Sequence, residues 1–515
     1  MSTSVDVCVV GSGFGAGPAA LRSAESGRSV VVVEEGQRWD GRAGSRQFQQ
    51  TQGDLQYLAD LFRADLGFDA ERNAASIVVG GKGLGGGSLV YSMVSLRAPS
   101  FVFDDPVWPA GIDRTELDPY YERAEVTLGV AQLEWTGSRP ADDWRLTSKR
   151  DAAFAELCHR AGISCDPTPV AINSECGNLG WCTMGCVRHG KNSVDLRYLQ
   201  PAEDLGAELR TGVRVERIEP AGPVAGRRWR VLTTRVADGA AGDVLADEVV
   251  VAAGTVGSAV VLQRSARQLP GGISEQCGRN LSRGGDMLLP VVLPDDLGLD
   301  QLEMLPGKII GSCSFHHLFE PPPGFGDDWA RFIIQPMMIL PAISAVLVAD
   351  PDGVTSEGGD MRQFGLEQKH LMQHWGSRLL HLGMMGVDGM DGRVTVEASG
   401  LPTVSFGLSP ATRAFQAAAR AGVRHLAEAS GARVLPSWDE LRNDALTIHP
   451  LGTCRMADSP ELGVVDGRCR LYTSTGGVHE GLYVTDASTY SSPIAVNTSL
   501  TAAAVSERAM ALRDA

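Results

Sequence analysis

The stretch VDVCVVGSGFGAGPAALRSAESGRSVVVVEEG, residues 5–36, does most to limit what this chain can become. Its run from Val5 to Val10, apolar but for Asp6, predicts a strand buried on both faces. Ala16 to Ser26 predicts a helix stopped by Gly27, and Ser29 to Val33 a second strand. The turn between the first strand and the helix holds Gly11 and Gly13, with Ala16 completing a G-x-G-x-x-A pattern. Gly11 allows the tight turn, Gly13 lets a pyrophosphate approach the backbone, and Ala16 keeps the helix close to the sheet. The helix N-terminus then faces the phosphates with unpaired N–H groups. Glu34, at the tip of the second strand, is placed to hydrogen-bond a ribose hydroxyl. A glycine turn without a ligand would not need strand, helix, second strand and acid in register, so the unit reads as a dinucleotide site. The acid suits an adenosine ribose without a 2′-phosphate, hence FAD or NAD rather than NADP.

Length and charge narrow the class. A chain of 515 residues exceeds one ordinary domain, so two domains or one large elaborated α/β domain are expected. The net charge of −16 argues against a nucleic-acid partner, which would need a basic face. The long apolar stretches around residues 249–262 and 332–348 are broken by Gly, Pro and polar residues, and neither predicts a membrane span. No basic-then-apolar leader precedes Val5, and ten scattered cysteines read as thiols, so a cytoplasmic location is expected. There is no G-x-S-x-G elbow, no H-E-x-x-H and no P-loop. In SECGNLGWCTMGCVRHGKNS, Cys176, Cys182, Cys186 and His189 are of metal-ligand type, but the spacing is not a paired C-x-x-C pattern. Packed thiols with no metal are the better expectation.

Three further regions choose between FAD and NAD. GGKGLGGGSLVYSMVSLRAPSFVFDD is a second glycine-rich turn. LRTGVRVERIEP and DEVVVAAGTVGSAVVLQRS read as strands returning to the first sheet, the last ending at Gly254. IHPLGTCRM and GLYVTDASTYSSPIAVNTSLTAAAVSERAMAL complete the set. Together they resemble the glucose–methanol–choline (GMC) family of FAD oxidoreductases over nearly the whole chain. The segments VVVEEGQRW, GLGGGSLV, HGKNSVDLRYL, HPLGTC and LYVTDAS stand closest to its cholesterol-oxidase-like branch. The resemblance implies that Gly13, Phe14, Gly15 and Glu34 hold the ADP half of FAD. It implies that Gly85, Gly86, Gly87 and Ser88 pass beside the isoalloxazine, with Tyr91 close by where the family usually has Asn. Val215 falls where the family's backbone meets adenine, and Asp486 near the ribityl–pyrophosphate region. Asn497 and Thr498 fall near the flavin's reacting edge, Thr498 standing where the family has Pro.

The activity implied is oxidation of an alcohol to a carbonyl, which needs an acceptor for the hydroxyl proton and a C–H bond aimed at flavin N5. His449 has the family's position for the base, and imidazole suits that task near neutral pH. Asn497 cannot take a proton there, but its amide can orient the alcohol and stabilise developing negative charge. His316, His317 and His479 match no such role and are expected to be structural. The expected architecture is α/β: a Rossmann-like, doubly wound FAD-binding domain from residues 1–100, 187–289 and 443–515. Residues 101–186 and 290–442 form an inserted, sheet-based substrate domain roofing the flavin. Within it, PVVLPDD, RFIIQPMMIL and GRVTVEASGLPTVSFGLS supply strands, and Phe332, Ile334, Met337, Met338 and Ile339 hint at an apolar pocket. The partners expected are a small-molecule alcohol and oxygen or another electron acceptor. The alcohol is bulky and sterol-like or of secondary metabolism; a sugar or aminoglycoside alcohol is the alternative, and a non-catalytic flavin-fold subunit a weaker one. Cholesterol oxidases also move a double bond with a glutamate; Gln335 stands nearest that position here, and an amide cannot shuttle the proton.

Overall fold

The structure, a computed structural model, describes the chain apart from residues 1–2, 42–44, 52–53, 72, 133–147, 223–225, 298–306, 340–377, 437–444 and 515. The opening strand is Thr3–Val10, two residues longer at its start than the apolar run suggests. The helix after it is Ala16–Glu25 and the second strand Val30–Val33, four consecutive buried valines. β-Branched side chains on both faces of a strand fit a sheet covered on both sides. Five parallel strands lie in the order Val478–Val484, Ala241–Val251, Thr3–Val10, Val30–Val33, Glu208–Arg210. Chain order therefore reverses between Thr3–Val10 and Ala241–Val251. A crevice opens there at the carboxyl ends of the strands, where Gly11 follows Val10. An antiparallel hairpin, Val213–Pro220 with Trp229–Arg235, extends from Ala241–Val251 and brings Val215 toward that crevice.

The last helix, Ser499–Asp514, packs along the first. Arg22 clamps the fully buried Glu507 carboxylate with two 2.8 Å hydrogen bonds, joining the first helix to the last across the whole sequence. A bidentate pair of this kind fixes geometry as well as charge. It anchors the segment carrying Asn497 and Thr498 against the first glycine turn.

A second, antiparallel sheet runs Phe332–Met337, Leu379–Gly386, Met287–Val292, Arg433–Val434. Its residues divide by the strand period of two. Phe332, Ile334, Leu380, Leu382 and Leu289 join a core with Phe154 of helix Lys149–Ala161 and Phe415 and Leu426 of helix Pro410–Ser430. Ile333, Met337 and Met385, on the other face, pack against the core of the parallel sheet. The expected pocket role of Phe332 and Ile334 is thus corrected: they face the covering helices, with the Phe332 ring 4.7 Å from that of His317. Met338 is buried and Ile339 half-buried. Part of the expected substrate region, residues 340–377, lies outside the described residues.

The hairpin within GRVTVEASGLPTVSFGLS is not part of this roof. Gly392–Val396 pairs with Pro402–Ser405 on one side and Arg279–Leu281 on the other, in a separate three-stranded sheet. The hairpin seats on strand Phe62–Asp69, where a Cβ on Gly67 would collide with the Val404 carbonyl. Phe62–Asp69 pairs with Ala74–Gly81, and that strand with Ala445–Thr447, which leads directly into His449.

Candidate active site

At the switch point lies a cleft of about 870 Å³. Its walls include Gly11, Gly13, Phe14, Gly15, Glu34, Gly86, Gly87, Val215, Gly254, Asp486 and Thr498, gathered from segments far apart in sequence. Gly11 has φ +92° and its missing Cβ would sit 2.3 Å from the Ala252 carbonyl oxygen, so only glycine makes this turn. Gly86, at φ +55°, would place a Cβ 2.8 Å from the Gly13 Cα. The two glycine turns therefore touch backbone to backbone. Helix Ala16–Glu25 begins at Gly15 with no side-chain cap, and its Ala16 and Gly17 N–H groups turn back to the Gly13 carbonyl at 2.9 and 3.0 Å, which points the helix start at the first glycine turn. These features fit an adenine dinucleotide such as FAD, with an acid for the ribose at one end and Thr498 at the other.

Glu34 is buried; Oε1 accepts the Gly36 N–H at 2.8 Å and Oε2 the Ser12 hydroxyl at 2.5 Å. Burial pushes its carboxyl up, and those hydrogen bonds only partly offset the shift. Ser12 also accepts the Gly85 N–H at 3.1 Å, so its hydroxyl ties the first turn to the second. Sequence reasoning passed over Ser12, although it sits inside the G-S-G motif. Asp486 accepts from the Gly254 N–H at 2.8 Å, the Ser258 hydroxyl at 2.6 Å and the Ser488 N–H at 2.9 Å. It thus fastens the last parallel strand to the start of helix Gly254–Ser265; burial raises its carboxyl as well.

Three expected contacts lie behind the cleft wall. Gly85, at φ +113°, shapes the second turn. Ser88 is fully buried, donating to the Gly85 carbonyl at 2.7 Å and accepting the Val194 N–H at 2.9 Å; its hydroxyl braces the loop. The Tyr91 hydroxyl donates to the Asn192 carbonyl at 2.5 Å, while its ring meets Phe14 edge-on at 5.1 Å. Tyr91 therefore supports Phe14, which does line the cleft.

The reacting pair expected from the sequence is brought together. His449 Nε2 lies 3.2 Å from Asn497 Nδ2. On its other side His449 Nδ1 meets Asp286 Oδ1 at 2.7 Å. Asp286 was not foreseen. Its Oδ2 accepts the Thr447 hydroxyl at 2.7 Å and the backbone N–H groups of Ile448 at 2.8 Å and His449 at 3.0 Å. Burial pushes the Asp286 carboxyl up, but the imidazole and these hydrogen bonds outweigh it and hold it below the ordinary carboxylate range. The carboxylate therefore accepts a hydrogen bond from Nδ1–H, which keeps the proton on Nδ1 and leaves Nε2 as the acceptor. Asp286 reaches His449 because Gly284 and Gly285 before it adopt φ near +70°, and a Cβ on Gly284 would meet the His449 carbonyl at 2.8 Å. A Gly-Gly-Asp immediately ahead of a strand was the available signal. Beyond Asn497, Gln335 Nε2 lies 3.3 Å from Asn497 Oδ1, while Met337 lays its sulfur over Gly383.

The remaining candidates lie elsewhere. His479 Nε2 bonds the Gly272 carbonyl at 2.7 Å and His317 Nδ1 the Glu320 carbonyl at 3.0 Å. Cys176, Cys182 and Cys186 are free thiols lining a small separate cavity with Lys191 and Lys308. Among the described residues no helix is long and apolar enough to cross a membrane.

Residues 14–283 and 390–506 match the two sequence profiles of the GMC oxidoreductases, and the chain belongs to that family. It is 28% identical to a cholesterol oxidase of Mycobacterium tuberculosis, over 99% of this chain and 91% of that one. It is equally 28% identical to 6'''-hydroxyparomomycin C oxidase of Streptomyces lividus, over 96% of this chain and 89% of that one. The fold matches the crystal structure of pyridoxine 4-oxidase from Mesorbium loti with a TM-score of 0.66 at 17% identity, covering 99% of both chains. The protein is an oxidoreductase of a family whose members act on alcohol groups.

Proposed function

We propose that this protein oxidises a CH–OH group to a carbonyl with FAD, using His449 as the base. The observation that carries the reading is the Asp286–His449–Asn497 array beside a dinucleotide cleft. In this reading the glycine turns, the start of helix Ala16–Glu25 and Glu34 hold the ADP half, and Gly86, Gly87 and Thr498 border the flavin. FAD, when bound, supplies the acceptor for the hydride leaving the carbinol carbon. His449 Nε2 takes the hydroxyl proton, and the Asp286 carboxylate stabilises the imidazolium that results. The Asn497 amide N–H donates to the substrate oxygen as negative charge develops there. We also assign the parallel-sheet segments, 1–100, 187–289 and 443–515, to the cofactor part, and 101–186 and 290–442 to the substrate part. Strand Met287–Val292 straddles that boundary.

Denaturing the purified protein should release FAD, identified by its spectrum and mass. Release of NAD, or of no nucleotide after reconstitution with FAD, would overturn the reading.

No double-bond isomerisation should accompany the oxidation. That reaction needs a carboxylate to lift a proton from one carbon and return it to another, and Gln335 is an amide. Offered a β,γ-unsaturated steroid ketone, the enzyme should give no conjugated absorbance at a rate comparable with alcohol oxidation. Rapid conjugation would reveal an acid in the site.

A further inference from the structure

Helix Gly254–Ser265 lines the cofactor cleft with Gly257, Val260, Val261 and Arg264. The same cleft is lined by Val215 of strand Val213–Pro220 and by Ser399 to Pro402, the turn of the hairpin that seats on strand Phe62–Asp69. Two side chains in the last turn of the helix bind the backbone of that hairpin. Gln263 Nε2 donates to the Val394 carbonyl at 2.9 Å, and its Oε1 accepts the Val396 N–H at 3.1 Å. Arg264 Nη2 donates to the Gly400 carbonyl at 2.6 Å, while its Nη1 meets Glu216 Oε2 at 3.1 Å. One guanidinium therefore ties the helix, the strand carrying Val215 and the hairpin turn together, through bonds of the stronger, charge-assisted kind. The turn is also closed on itself. Gly400, at φ +83°, donates to the Glu397 carbonyl at 2.8 Å, and the Glu397 N–H donates to the Leu401 carbonyl at 3.0 Å. Leu401 is nonetheless 66% exposed. A single exposed leucine is ordinary on a protein surface. One that a fixed turn holds in the wall of a cleft shared with three buried valines or their neighbours in the helix is placed to meet the apolar face of a ligand.

We propose that the Ser399–Pro402 turn caps the adenine ring of the cofactor, with Leu401 making the contact and Arg264 acting as the positioning residue that holds the turn in place. Adenine presents two flat faces of low polarity, and Leu401 against one of them is withdrawn from water only when the cofactor is bound. The inference rests on the FAD reading and extends it to a hairpin outside the parallel sheet.

The test follows FAD leaving the holoenzyme. Wild type, Leu401→Ser, Leu401→Phe and Arg264→Met are diluted into flavin-free buffer, and release is read from the rise in flavin fluorescence. Leu401→Ser should release FAD about tenfold faster than wild type. Its melting after the flavin has left, followed by far-UV circular dichroism, should match wild type, because the side chain is exposed without the cofactor. Leu401→Phe, which keeps an apolar face, should hold FAD as firmly as wild type, and Arg264→Met should release it at least as fast as Leu401→Ser. A wild-type release rate in Leu401→Ser overturns the cap, even where Arg264→Met is fast, because Arg264 would then support the fold and not the adenine contact. A wild-type protein whose purified cofactor is not FAD removes the reading beneath it, and this proposal with it.

Discussion

His449→Ala should slow oxidation of the alcohol about a hundred- to ten-thousandfold while the protein keeps its FAD. Position and chemistry both support that expectation. The imidazole stands at the end of strand Ala445–Thr447, braced on one side by a part-buried carboxylate and on the other by Asn497. It is not among the residues lining the dinucleotide cleft, so its loss should leave cofactor retention intact. Asn497→Ala should slow the same step in the same direction, since a removed donor to a developing alkoxide typically costs about a hundred- to a thousandfold. Steady-state kcat with the flavin-to-protein absorbance ratio checks both variants. A normal rate in both would mean the assigned roles are wrong.

Asp286→Asn should produce the second large loss, about a hundred- to ten-thousandfold in kcat, although Asp286 touches no substrate. The amide can donate its NH₂ to His449 Nδ1, which moves the imidazole proton to Nε2 and abolishes the base. Asp286 is therefore a positioning residue, and a merely structural role makes a different forecast. A structural contact would respond in stability alone; tautomer control should lower kcat with little change in KM and leave FAD bound. The pH dependence of folding supplies a second readout. The folded carboxyl of Asp286 lies below its ordinary value. Its contribution is therefore complete above the unfolded carboxylate pKa of about 3.9 and is lost as pH falls through the folded value. Thermal melting of the asparagine variant should lack that part of the acid loss. Unaltered kcat in Asp286→Asn would show that Nε2 accepts without help from the carboxylate.

The dinucleotide half was legible because its requirements are local. Gly11, Gly13, Ala16 and Glu34 occupy fixed positions within one strand–helix–strand unit, and in the proposed reading each serves a turn, a close approach or a ribose. His449 and Asn497 were singled out through the resemblance of their segments to a family, and the structure brings the two side chains together. Asp286 was not, because it stands 163 positions before its partner and is brought to it only by the two left-handed glycines that precede it. Strand Phe332–Met337 shows a different limit. Its residues are apolar on both faces, so the sequence shows which share a face but not which face the cleft; Phe332 and Ile334 proved to be core under the helices. Ser88 illustrates a third. A hydroxyl in a glycine-rich turn looks available for a ligand, yet its hydrogen bonds to Gly85 and Val194 close the loop on itself.

The most direct test of the account is a rapid-mixing experiment without oxygen, in which FAD-loaded wild type and His449→Ala meet the same oxidisable alcohol. The account predicts that the flavin's visible band bleaches promptly in the wild type and at least a hundredfold more slowly in the variant, from equal starting absorbance. Equal bleaching rates in the two proteins would contradict it.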